Sequence, residues 1–139
     1  PVKGGELAKA QKSQGADVIY AAAGATGIGV LQAAADEGIL SIGVDSNQNH
    51  LHPGKVLTSA IKRVDTAVYD AFKAGTEVEV GKTNIWDVAH DGVGVAMDDN
   101  NKPLMTDEIT KAIDEASAKI ASGEIKVHDY MTDNACPVQ

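Results

Sequence analysis

The chain has 139 residues, 43% of them hydrophobic, enough apolar material for one core and too little for two full domains. Its formal charge of −8 argues against nucleic acid and anionic membrane surfaces as partners, since both demand clustered Lys and Arg. No apolar run approaches the roughly 18 residues of a membrane-spanning helix, and the single Cys136 excludes an internal disulfide or a cysteine-based zinc site, leaving a bond to sequence outside this chain.

The first segment, PVKGGELAKAQ, starts at Pro1 rather than Met and enters directly at a helix, which reads as a processed or clipped product. Residues 15 to 45 then form a strand, glycine turn, helix and second strand. Val18 to Ala23 is a short apolar run suited to a parallel strand buried on both faces, and Gly24, Gly27 and Gly29 punctuate it. Val30, Leu31, Ala34 and Ala35 recur at helical spacing, Gly38 stops the helix, and Ile39 to Val44 resume the apolar pattern before Asp45. Such a βαβ unit connects right-handedly into a parallel sheet and places a ligand at the carboxyl ends of its strands.

Lys55 to Lys62 follows the turn residues Pro53 and Gly54 as a further strand, and Val64, Val68, Ala71 and Phe72 line one helical face, with Phe72 expected in the core. Tyr20, midway along a buried strand, is likewise expected inside. Thr83 to Val88 and Gly92 to Met97 read as strands on either side of an AHDG turn, and Asp98 to Lys102, DDNNK, as a linker. Thr106 is a candidate N-cap with Asp107 and Glu108 favourable to the helix dipole. Ile109, Ile113, Ala116 and Ile120 form a stripe, Gly123 ends that helix, and Ile125 to Met131 reads as a final strand.

Two functional readings compete for the glycine turn. AGATGIG, Asp45 and the Tyr69/Lys73 pair resemble an NAD(P)-dependent short-chain-dehydrogenase-like Rossmann enzyme. Yet only about forty residues separate the turn from Tyr69, too few for the further βαβ units that such an enzyme places there. A phosphate cradle of the P-loop kind also fails, because no Lys-Ser or Lys-Thr follows the last glycine.

A longer stretch carries the second reading. GADVIYAAAGATGIGVLQAAADEGILSIGVDSNQN, PGKVLTSAIKRVDTAVYDAFK, HDGVGVA and ASGEIKV closely resemble, in that order, the basic membrane protein (BMP) family of ABC-importer solute-binding proteins, related to purine-nucleoside receptors. The resemblance implies an α/β fold, a parallel-sheet three-layer lobe of a type I periplasmic-binding-protein fold. Residues 1–97 would be the second lobe lacking its first strand, and 98–139 a hinge crossing with a terminal helix and strand belonging to the missing first lobe. On that expectation Ile109, Ile113 and Ile120 are exposed and offer an association surface for a second copy. The implied role is non-catalytic: a purine nucleoside or similar solute bound by lobe closure, an ABC permease as partner, no cofactor, and a periplasmic or cell-envelope, lipoprotein-like setting.

Within that reading Asp45 is the leading ligand residue. A carboxylate is an acceptor-only group that takes protons from both adjacent hydroxyls of a ribose. Gly24, Thr26 and Gly27 offer close backbone approach and helix N-terminal amides, and Trp86 is a candidate stacking ring. Many nucleoside-binding members carry a lysine just before the glycine-valine block, where Ala89 stands here, so that a polar contact is lost or passes to His90. His50 and His52 form an H-x-H pair without a third ligand at metal-site spacing and read as solvated loop residues.

Overall fold

In the computed structural model, which describes residues 1–77 and 79–137, the apolar runs of the first half become regular elements close to their expected bounds. In chain order these are α1 (Val2–Ser13), β1 (Val18–Tyr20), α2 (Thr26–Asp36), β2 (Leu40–Asp45) and β3 (Val56–Lys62). They are followed by α3 (Val64–Ala74), β4 (Val93–Val95), α4 (Asp107–Ala121) and the single turn α5 (Tyr130–Asp133). One four-stranded sheet runs in the order β1-β2-β3-β4. The first three strands are parallel, and β4 joins β3 antiparallel, with Lys62 opposite Val93.

Helices α1 and α2 cover one face, and small residues set how close they come. A Cβ on Gly29 would stand 2.0 Å from the Pro1 carbonyl oxygen, and one on Gly4 2.7 Å from that of Thr26, so both positions require glycine. Ala8, Ile19, Ala21, Val30 and Ala33 form the core beneath them. Leu31 and Ala34 are fully buried. Burying an aliphatic side chain of Val or Leu size contributes about 1.5–3 kcal/mol.

The opposite face is covered by α4. Thr106 caps it by accepting from the Ile109 amide at 3.2 Å, and Asp107 and Glu108 occupy its first turn as expected. Ile109 and Ile113, with Met105, share an apolar cavity of about 420 Å³ with Tyr20, Ile42, Leu57, Ala60 and Val95 of the sheet. Ile109 and Ile113 of the stripe expected to stand exposed are therefore half-buried beside the chain's own sheet, and Ile120 is half-buried as well. Helix α3 buries no residue, and its apolar Val64, Val68 and Phe72 are exposed. Phe72, expected in the core, is 83% exposed, and Tyr20 is 54% exposed at the sheet edge. Amphipathic spacing names the apolar face of a helix without saying what covers it.

Other expectations also change. Residues 82–87 carry no strand and lead into a 3₁₀ turn at Val88–His90, while β4 covers only Val93–Val95 of the expected Gly92 to Met97 strand. Residues 126–129 form no strand, and Tyr130–Asp133 is helical. An isolated β-branched residue beside charged neighbours, as in IKVHD, has no sheet edge to complete.

The DDNNK segment is an anchored turn rather than a linker. Asn101 is fully buried; its Nδ2 donates to the Leu57 and Ala96 carbonyls, both at 2.9 Å, while its Oδ1 accepts from the Asp98 amide at 2.9 Å. Asp98 Oδ2 accepts from Asn47 Nδ2 at 2.6 Å and from Asn49 Nδ2 at 3.3 Å. Asn49, also fully buried, accepts from Ser59 Oγ at 2.8 Å. These bonds tie the loop after β2 to β3 and to the segment entering α4. The Asn47 amide, with further donors from Asn100 and Asn49, holds the Asp98 carboxyl below the usual carboxylate range.

Asn101→Ala should cost about 1–3 kcal/mol of stability by stranding buried carbonyls, read as a lower urea midpoint at unchanged slope. Because its folded-state pKa is depressed, Asp98 contributes stability at neutral pH that is lost as pH falls through the depressed value. The gap in urea midpoint between wild type and Asp98→Ala should accordingly narrow from neutral pH into acid.

Candidate functional site

Because β1, β2 and β3 are parallel, their carboxyl ends share one edge of the sheet, and β4 starts from the same edge. Every candidate ligand residue lies along it: Gly24, Thr26 and Gly27 after β1, Asp45 at the end of β2, and Trp86 and His90 before β4.

Asp45 has φ +70°, the left-handed region that a residue with a side chain occupies at a cost. Its carboxylate stands out from the edge with its side chain 52% exposed and accepts from Lys62 Nζ at 2.9 Å. Lys62 is the last residue of β3, beside Asp45 because Asp45 and Ile61 are in register. The hydrogen bond to Asp45, and then its charge, raise the Lys62 ammonium above its ordinary range. Sequence reasoning passed over Lys62. No local pattern marks it, because the register of β2 against β3 is set by tertiary pairing.

The glycine turn divides into two kinds of position. Gly24 has φ +51° and open space where a Cβ would sit, so its requirement is conformational. Gly27 is buried, and a Cβ there would stand 3.2 Å from the Ala21 carbonyl oxygen. Thr26 turns its Cγ2 toward Gly4 on α1. The Thr26 and Gly27 amides bond back to the Ala23 and Gly24 carbonyls at 3.1 and 2.9 Å, so these two donors serve the turn itself.

Across the edge, Trp86 and His90 line a groove of about 530 Å³ with Thr83, Asn84 and Ile85. Asp87 caps the 3₁₀ turn by accepting from the His90 amide at 3.2 Å and meets His90 Nδ1 at 2.7 Å. That contact holds the Asp87 carboxyl below its usual range. Gly92 lies so close to the Trp86 main chain that a Cβ would stand 2.4 Å from its carbonyl oxygen, which fixes the indole's attachment to the edge. Tyr69 is 65% exposed on α3, and Lys73 is exposed one turn beyond it. Among the described residues no group of three or more His, Cys, Asp or Glu could hold a metal ion.

An open edge with a paired carboxylate and ammonium, a glycine turn and an indole suits recognition of a polar, ring-bearing small molecule. The family model for PnrA-like ABC transporter substrate-binding proteins, Bmp, matches residues 1–130. The chain belongs to the Bmp family. Basic membrane protein D of Borreliella burgdorferi is 38% identical over 118 residues, covering 81% of this chain and 34% of its own length. A CD4+ T-cell-stimulating antigen of Listeria monocytogenes is 34% identical, covering 90% of this chain and 39% of its own. This Bmp chain thus spans well under half the length of these curated relatives.

The fold agrees. A solute-binding protein of an ABC transporter system from Aeropyrum pernix K1 superposes with a TM-score of 0.76 at 26% identity, over 95% of this chain and 46% of its own. A transcriptional activator of the comK gene from Bacillus halodurans, with a TM-score of 0.75 at 23% identity, shares the fold over 88% of this chain and 43% of its own. The Bmp chain folds as one lobe of the type I periplasmic-binding architecture, with helices on both faces of a mostly parallel sheet.

Asp45→Ala should lower the Lys62 pKa toward its ordinary value, followed by Nζ-directed NMR titration. The pair is solvent-facing, so global stability should move little. Any stability it adds is present at neutral pH and lost as pH rises through the raised Lys62 pKa.

Proposed function

We propose that the chain is the carboxyl-terminal part of a two-lobed, extracytoplasmic receptor that binds a purine nucleoside or similar polar solute and presents it to an ABC permease, without catalysis. The observation that carries this reading is the Asp45 carboxylate, solvent-facing at the carboxyl edge and already holding a donor in Lys62. The vicinal hydroxyls of a ribose would supply donors of the same kind, and Lys62 would bond a ribose oxygen. Gly24 gives the ligand backbone approach, Thr26 and Gly27 shape that turn, and Trp86 with His90 bounds the base end. Among the described residues no helix is long and apolar enough to cross a membrane, and the relatives' family role supports a solute receptor.

Closure would act through contacts that both lobes make only when a ligand lies between them, shifting the hinge toward the permease-competent form. A contact face for the first lobe is offered by α3. Val64, Val68 and Phe72, at i, i+4 and i+8, give α3 an outward apolar line, and they are 62%, 48% and 83% exposed. Ala67, Ala71 and Ala74, on the adjoining flank of the helix, line a groove of about 350 Å³ with Trp86. Packing α3 into the first lobe would therefore couple Trp86 to closure. A light-scattering mass twice that of the chain would instead assign this face to a second copy.

Titration calorimetry of the full two-lobed receptor with guanosine, adenosine, inosine and NAD separates this reading from the dehydrogenase. Nucleoside binding should weaken in Asp45→Ala by about 1.5–3 kcal/mol, the scale of a charge-assisted hydrogen bond. Binding of NAD alone would overturn the receptor reading.

A further inference from the structure

Asp45 ends its strand in a left-handed conformation at φ +70°, and strain of this kind persists only where the surroundings impose it. The residues that follow supply the restraint. The Ser46 amide closes back on the Val44 carbonyl at 2.9 Å, turning the chain across Asp45. Val44's own amide donates to Gln48 Oε1 at 2.9 Å, so the side chain three residues beyond Asp45 clamps the residue before it. The Gln48 amide donates to Ser59 Oγ at 3.0 Å, and that hydroxyl donates to Asn49 Oδ1 at 2.8 Å.

Ser59 and Asn49 are fully buried, which makes them fixed anchor points. Gly43 leaves room for the clamp, since a Cβ there would stand 2.7 Å from Ser59 Oγ and 2.8 Å from Gln48 Oε1. The left-handed aspartate thus lies between a clamp at Val44 and an anchor on β3, the strand that carries Lys62.

We propose that Gln48, Ser59 and Asn49 form a latch that holds Asp45 in its left-handed backbone conformation, making Gln48 a positioning residue for the ligand-accepting carboxylate. The ligand role rests on the receptor reading above; the latch itself rests on geometry alone. By fixing the backbone of Asp45 relative to Lys62, the latch prepays the ordering that a ligand would otherwise impose on the loop.

A double-mutant cycle on the full chain tests the latch without ligand: Asp45→Gly, Gln48→Ala and the double variant, each followed by urea denaturation. Glycine tolerates positive φ, so Asp45→Gly should raise the midpoint in the wild-type background and gain little once Gln48→Ala has let the backbone relax. Gln48→Glu keeps an acceptor oxygen for the Val44 amide and should restore the gain. Equal midpoint changes in both backgrounds, or a lowered midpoint for Asp45→Gly in wild type, overturn the latch.

A guanosine titration of the two-lobed receptor adds the functional arm. Gln48→Ala should weaken binding about tenfold, the scale of coupling within one hydrogen-bonded network, with recovery in Gln48→Glu. Guanosine affinity unchanged in Gln48→Ala overturns the positioning role. A coupled cycle in a receptor that binds no nucleoside supports the latch and removes the nucleoside reading; an additive cycle in a receptor that does bind removes the latch alone.

Discussion

The architecture depends on a small set of buried amide and hydroxyl groups that join strands through their side chains. Asn49, Ser59 and Asn101 are fully buried, and each bonds to a segment distant in sequence. In a low-dielectric interior such groups are expensive if left unmet and stiffening when all are met. Here they fasten the loop after β2 to β3 and the turn after β4 to both. A loop tied at several points cannot drift, and this loop begins at Asp45. The stiffness of the edge therefore originates in polar contacts more than in the apolar core, which lies on the α1 and α2 side.

That core has a different character. Gly4, Gly29, Ala8 and Ala33 let α1 and α2 approach until backbone meets backbone, so the first layer is dense with little side-chain volume. The second layer is looser: α4 and the sheet flank an open apolar cavity of about 420 Å³ edged by the half-exposed Tyr20. The two layers also differ in what they join. The dense one stiffens the βαβ unit that presents the glycine turn, while the looser one carries α4, which packs against the 3₁₀ turn bearing His90. Helix α3 stands apart from both, and in the proposed receptor it is the arm through which the other lobe would engage.

How much was legible in the residues varies along the chain. The segment from Val18 to Asp45 was readable in its element order because its apolar run, glycine stop and helical spacing all agree on one local structure, but β1 ends at Tyr20 and buries only Ile19, where a longer strand buried on both faces was expected. Thr106 with Asp107 and Glu108 announced the α4 start for the same reason. Legibility failed where a strand needed a partner. Thr83 to Val88 and Ile125 to Met131 have strand-like composition, but pairing is a tertiary event and neither segment reaches a sheet edge. DDNNK looked like a solvated linker because Asn and Asp are usually exposed; Asn101 is buried since two backbone carbonyls converge on its amide.

The candidate site divides the same way. Asp45 and the glycine turn were visible by themselves because the rule placing ligands at strand carboxyl ends needs only element order. Lys62, Gln48 and Ser59 were not, since their roles depend on register and on a left-handed backbone angle that no residue pattern encodes. Periodicity, caps and turn residues settled which elements form, because those preferences are local. Tertiary structure alone decided which apolar helix face is covered, which polar side chains are buried and which cation meets Asp45, because each depends on groups brought together from distant parts of the chain.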